Sequence, residues 1–177
     1  MKYPVNRLRR LRYNNILRDM IEDVRIHSSD LICPVFITEG VKIKEPIESM
    51  PGQFRFSVDL AVEFCNELID NKINSVILFG IPEEKDETGE ISCRSNSIIP
   101  KAITELKKKF KDKLFIIADV CNCEYTTHGH CGTIIDNDVD NDLTLKTLSN
   151  QSLVLAKSGA DALAPSDMMD GRVKVIR

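Results

Sequence analysis

Residues 119–132 hold three of the six cysteines and two of the three histidines of a 177-residue chain: Asp119, Val120, Cys121, Asn122, Cys123, Glu124, Tyr125, Thr126, Thr127, His128, Gly129, His130, Cys131 and Gly132. Thiolates are soft donors suited to zinc, and zinc–sulfur bonds of about 2.3 Å require the sulfurs to converge on one point. The preceding run, Leu114 to Ala118, reads as a buried strand. Extended through Cys123, that strand would put Asp119, Cys121 and Cys123 on one face, because alternate residues of a strand project to the same side. The loop through Gly129 can then return Cys131 as a third ligand. Three protein ligands leave a fourth position open, the arrangement of a catalytic zinc rather than a structural one. The competing reading is a set of reduced cysteines without a metal. His128 and His130 could build a second metal site, but hydrogen bonding within the loop is the favoured reading for both.

The elements that must position this stretch follow from periodicity. Strands are expected from about residues 31, 75, 114 and 161. Leu31 to Ile37 is continuously apolar, as a strand buried on both faces would be, although Pro34 argues against a central place in a sheet. Residues 38–57 read as a long loop with room for a short hairpin. A helix is predicted from Ser57, a suitable N-cap, with Ala61, Phe64, Cys65 and Leu68 on its buried stripe. A second helix carries Ile99, Ala102, Ile103, Leu106 and Phe110. A third carries Leu145, Leu148, Ser152 and Leu155, with Gly159 as its C-cap. Cys33 and Cys65 read as plain core residues, and Cys93 has no ligand partner nearby in sequence. The polar loop 82–90 reads as solvated surface, as does the acidic stretch from Asp136 to Asp142, which lacks the glycine and distal glutamate of an EF-hand.

Strand and helix alternate throughout, so the fold class is α/β with parallel strands and right-handed crossovers. An open doubly wound sheet and a (βα)8 barrel both satisfy this pattern. No glycine-rich phosphate loop follows the first strand, which weakens the dinucleotide-binding alternative. The polar residues gather just past strand C-termini, where both architectures place their sites.

Composition narrows the class further. A hydrophobic content of 42% and a charged content of 29% are those of a soluble globular domain. A net charge of −3 argues against a general nucleic-acid binder. No apolar run approaches the length of a membrane span, and the N-terminus lacks the apolar core of a signal peptide. The expected compartment is the cytosol, where clustered cysteines point to metal or catalysis rather than disulfides. Residues 1–30 are basic (Arg7, Arg9, Arg10, Arg12, Arg18, Arg25) and expected to be irregular. They read as an arm that packs on another subunit through Leu8, Leu11, Ile16, Leu17 and Ile21; a frayed, solvated tail is the alternative.

The cysteine stretch resembles that of porphobilinogen synthase, also called 5-aminolevulinate dehydratase, of the zinc-using type. A second resemblance runs from Gly159-Ala160-Asp161 through Ala164-Pro165-Ser166-Asp167-Met168-Met169-Asp170-Gly171-Arg172-Val173. Weaker ones are Arg7 to Arg12, Met50-Pro51-Gly52 with Arg55-Phe56-Ser57, and Phe79-Gly80-Ile81-Pro82 with Lys85-Asp86. The resemblance implies a (βα)8 TIM barrel with an N-terminal arm over residues 1–30, residues 31–177 supplying its first four βα units and stopping after the fourth strand. It implies a homo-octamer that condenses two 5-aminolevulinate molecules to porphobilinogen in tetrapyrrole (haem) biosynthesis. Carried over by position, Cys121, Cys123 and Cys131 are zinc ligands, while Asp119, Ser166 and Asp167 line the substrate pocket. The family's two Schiff-base lysines lie on later strands, and its magnesium site, where present, lies beyond residue 177. Lys174 matches neither lysine, so the 177 residues alone are expected to be inactive. A non-enzymatic zinc-binding or thiol-regulated module that keeps only the metal loop is the alternative reading.

Overall fold

The computed structural model describes residue 2 and residues 4–177. Its main sheet has six strands: β1 (Cys33–Thr38), β2 (Lys44–Pro46), β3 (Phe54–Phe56), β4 (Ser75–Ile81), β5 (Phe115–Val120) and β8 (Ala162–Pro165), with β6 (Ile134–Ile135) and β7 (Asp138–Val139) forming a separate hairpin. The helices are α1 (Asn15–Met20), α2 (Val58–Asp70), α3 (Ile98–Phe110), α4 (Asn141–Lys157) and α5 (Arg172–Ile176).

The strand order β2-β3-β1-β4-β5-β8 settles the architecture. β1, β4, β5 and β8 are mutually parallel, and each pairs with the next along the chain. A doubly wound sheet reverses its order at a switch point and carries helices on both faces. Here nothing reverses. α2 packs on β1, α3 on β1 and β4, and α4 on β5 and β8. Val35, Ile37, Val76, Leu78, Ile116 and Ala118 project toward those helices and are buried against residues such as Ala61, Cys65, Ile103, Leu106, Leu148 and Leu155. The alternate residues, among them Phe36, Ile77, Phe79, Ile117 and Asp119, face the other side and are only half-buried. Phe36 and Phe79 stack there at 5.4 Å. An ordered parallel wall with helices on one face alone is the wall of a βα barrel.

Several local expectations are modified. β1 is fully buried on its helix side only; the apolar residues of its other side belong to a barrel interior. Pro34 is tolerated because β3 meets β1 only at Phe36 and Ile37, leaving Pro34 paired with β4 alone. The 38–57 loop does hold a hairpin, β2 with β3, which joins the sheet edge. Ser57 is the N-cap of α2, yet its hydroxyl does not cap the helix. It accepts from Ile43 N at 2.9 Å and donates to Asp59 at 2.5 Å, tying the hairpin to the helix start. The first thirty residues are not irregular throughout: a 3-10 turn spans Leu8–Arg12, and α1 follows, N-capped by Asn14. The acidic stretch after Ile135 is also structured. It forms β7, and Asp140 caps α4 by accepting from Leu143 N at 2.8 Å.

At the base of the sheet, Asp161 accepts from Ile116 N at 2.7 Å and pairs with Lys107 of α3 at 2.5 Å. Gly159, just past the C-cap of α4, takes φ +104°, a conformation that favours glycine. At the other end, Gly80 lets the loop after β5 close down. A Cβ there would lie 2.8 Å from Ile99 and would also meet the Tyr125 hydroxyl. Tyr125 is thereby sunk into the top of the core and anchors the cysteine loop.

Candidate metal centre

β5 ends at Val120, so Cys121 and Cys123 do not belong to a strand and the parity argument for them fails. The chain turns instead. Tyr125 N and Thr126 N both donate to Asn122 O at 2.9 Å, folding Cys121 and Cys123 back on each other, and their sulfurs lie 3.3 Å apart. Thr126 Oγ1 donates to His130 O at 2.8 Å, which turns the loop so that Cys131 returns. The three sulfurs all lie within 4.8 Å of one another. Tetrahedral zinc with bonds of about 2.3 Å spaces its sulfurs about 3.8 Å apart, so the donors fit such an ion in type and spacing. Among the described residues this is the one group of three or more His, Cys, Asp or Glu side chains close enough to hold a metal.

The three thiols share charge unequally. The side-chain hydrogen bond it shares with Cys123 pulls Cys121 down to about 6, against the effect of burial. Cys123, tied to Cys121 through that contact and itself desolvated, is pushed up. Burial and contact with Cys121 raise Cys131 to about 11. A second thiolate here would repel the first, a repulsion that a divalent cation removes. The Cys123 thiol donates to Glu124 Oε2 at 3.2 Å.

Asp119 reaches the site from the inner face of β5. Burial raises its carboxyl to about 7 despite a hydrogen bond with Ser166, and the negative groups Glu124, Cys121 and Asp167 act in the same direction as burial. Ser166 is exposed just past β8, the strand that pairs with β5. Asp167 is buried; it accepts from Met169 N at 2.7 Å and faces Arg172 Nε at 3.5 Å. Asp167 therefore shapes the turn into α5 as well as standing near Asp119. The two histidines engage the loop: His128 Nε2 pairs with Glu87 O at 3.0 Å, and its Nδ1 accepts from His130 N at 3.1 Å. Cys65 is fully buried and Cys33 half-buried, while Cys93 lies against Thr147 O at 3.4 Å, outside the cluster. Lys174 is exposed on α5.

Two further contributors lie outside the cysteine stretch. Gln151, buried on α4, donates to Cys121 O at 3.0 Å across thirty residues of chain. Gln151→Leu keeps most of the volume but leaves that carbonyl without its donor, a loss of about 1–3 kcal/mol. Urea titration should show this drop, and an unchanged midpoint would mean the contact is dispensable. The second contributor is the 82–94 loop, which is ordered rather than merely solvated. Asp86 pairs with the cysteine loop through Asp86 N to Tyr125 O at 3.1 Å and Thr127 N to Asp86 O at 2.9 Å.

With this geometry in hand, the comparisons with known proteins are consistent along the chain. A family model described as delta-aminolevulinic acid dehydratase matches residues 5–177. The delta-aminolevulinic acid dehydratase of Methanothermus sociabilis is 46% identical over 177 residues, covering 100% of this chain and 55% of the relative. That of Helicobacter pylori is 49% identical over 172 residues, covering 97% and 53%. The chain thus spans about half the length of these curated relatives. A crystal structure of delta-aminolevulinic acid dehydratase (porphobilinogen synthase) from Toxoplasma gondii ME49, in complex with the reaction product porphobilinogen, superposes with a TM-score of 0.92 at 36% identity. The match covers 97% of this chain and 49% of that one.

Proposed function

We infer a function from one premise: the chain belongs to the delta-aminolevulinic acid dehydratase family. The protein carrying it condenses two molecules of 5-aminolevulinate to porphobilinogen with loss of water, as a lyase of tetrapyrrole biosynthesis. The observation that carries this reading is the convergence of Cys121, Cys123 and Cys131 at the C-terminal end of β5, beside Asp119. That end of a barrel strand is where βα-barrel enzymes place their chemistry.

Cys121, Cys123 and Cys131 would hold zinc. When bound, zinc supplies a Lewis acid, weakened by three thiolates, that orients a substrate carbonyl or amine. Asp119 is aimed into the barrel interior and is raised toward neutrality by burial. It can accept a proton from a substrate carbon or pair with a substrate ammonium. Ser166 stands beside Asp119, where its hydroxyl favours the charged carboxylate. Asp167 and Arg172 hold the following turn in place. Residues 1–30 act as the arm that packs on another copy in a homo-octamer, with Leu8, Leu11 and Ile16 exposed for that contact. The compartment is the cytosol.

The test is turnover by the complete polypeptide that carries these residues, with zinc and 5-aminolevulinate, read by a colour reaction for the pyrrole. Product formation should stop when a chelator removes the metal and resume when zinc is returned. A folded, zinc-loaded protein that forms no pyrrole would overturn the assignment.

A further inference from the structure

We propose that Asp86, on the loop after β4, is the positioning residue of the three-sulfur site: it folds residues 88–91 into a turn that braces the side chain of Asn122, the residue between Cys121 and Cys123. The proposal rests on the reading of those cysteines as metal ligands.

The bracing runs through consecutive contacts. One Asp86 carboxylate oxygen accepts from Thr88 N at 2.8 Å, from Gly89 N and from Glu90 N at 3.2 Å, and the other accepts from Ile91 N at 2.9 Å. Successive backbone N–H groups that converge in this way form an anion-binding concavity, and here the anion is the protein's own carboxylate. Gly89 adopts φ +74° at the centre of the turn, and Ser92 closes it by donating from Oγ to Gly89 O at 2.7 Å. Gly89 then abuts Asn122: a Cβ on Gly89 would lie 2.9 Å from Asn122 Cγ. Asn122 is fully buried and separates the two cysteines whose sulfurs approach most closely.

The Asp86 backbone completes the clamp through Tyr125 O and Thr127 N, and the neighbouring Glu87 O holds His128. A residue whose turn packs on the Asn122 side chain and whose backbone holds Tyr125 and Thr127 acts on both sides of Cys123 and so limits where its sulfur can go. Groups that orient metal ligands in this way typically change affinity by about 10–100-fold when removed.

The experiment measures metal affinity in the complete polypeptide, using cobalt(II) as a probe whose thiolate charge-transfer band reports sulfur ligation, with zinc competing. Asp86→Asn and Asp86→Ala should weaken the metal by about 10–100-fold while the far-ultraviolet circular dichroism stays that of the parent. Asp59→Asn is the control, because Asp59 also holds backbone, accepting from Lys42 N at 3.0 Å, but touches no part of the cysteine loop. It should lower stability without moving metal affinity.

Should Asp86→Ala fail to fold, Asp86→Asn and Gly89→Ala decide the matter, the latter by pushing Asn122 while leaving the carboxylate in place. Parent-like affinity in the folded variants, with a normal thiolate band in the parent, would overturn the positioning role and leave the metal site standing. Absence of the thiolate band from the parent would remove the metal reading and this inference together.

Discussion

Exchange of Cys123 for serine is expected to weaken zinc binding by about two orders of magnitude or more. Apparent binding free energies of zinc in small thiolate and imidazole sites run to about 10–16 kcal/mol, so each ligand of three or four carries about 3 kcal/mol. Cys123 is the most constrained of the three, because its sulfur sits 3.3 Å from Cys121 and 3.2 Å from Glu124. X-ray absorption of the zinc-loaded parent should show sulfur neighbours near about 2.3 Å, reduced in number by each of Cys121→Ser, Cys123→Ser and Cys131→Ser. A coordination sphere made only of nitrogen and oxygen would exclude the cluster as the binding site. Cys93→Ser should change nothing, since Cys93 packs against Thr147 O rather than into the cluster.

Asp119→Asn should lower turnover of the complete polypeptide by about 10²–10⁴-fold, the range supplied by a positioned proton acceptor. The amide keeps the shape of the carboxylate and can still pair with Ser166, but it can neither take up a proton nor balance a substrate ammonium. Metal affinity should move little, because the oxygen ligands of Asp119 are not part of the three-sulfur group. Steady-state kinetics together with a zinc competition assay separates the two effects. Parent-like turnover at saturating substrate would show that Asp119 serves the fold and not the reaction. Asp167→Asn is the instructive comparison. It removes a charge facing Arg172 and shares the site's location, so a loss of turnover there must be weighed against a loss of stability measured on the same variant.

Much of the architecture was legible in the residue order. Apolar stripes such as Ile99, Ala102, Ile103, Leu106 and Phe110 encode which helix face is buried, because burial against a sheet repeats with the helix period. The alternation of such stripes with β-rich runs specified parallel strands. The three cysteines were legible because clustered thiols in a chain of this class have few other uses. The choice between barrel and doubly wound sheet was not available from periodicity, since both have the same local pattern. It was decided by strand order and by all the long helices packing on one face.

The sequence by itself therefore determined the order of the four parallel strands and three long helices, their buried stripes and the identity of the three sulfurs. Tertiary structure alone decided how those sulfurs meet. β5 stops at Val120, so convergence comes from a turn at Asn122 and a loop return, not from strand parity. That turn is held by Gln151 from α4 and by the Asp86 loop, at sequence separations of about 30 to 40 residues. Hydrogen bonds of this reach leave no local trace, because any polar side chain of the right length, or any backbone group, could make them. Only the path of the backbone determines which one does.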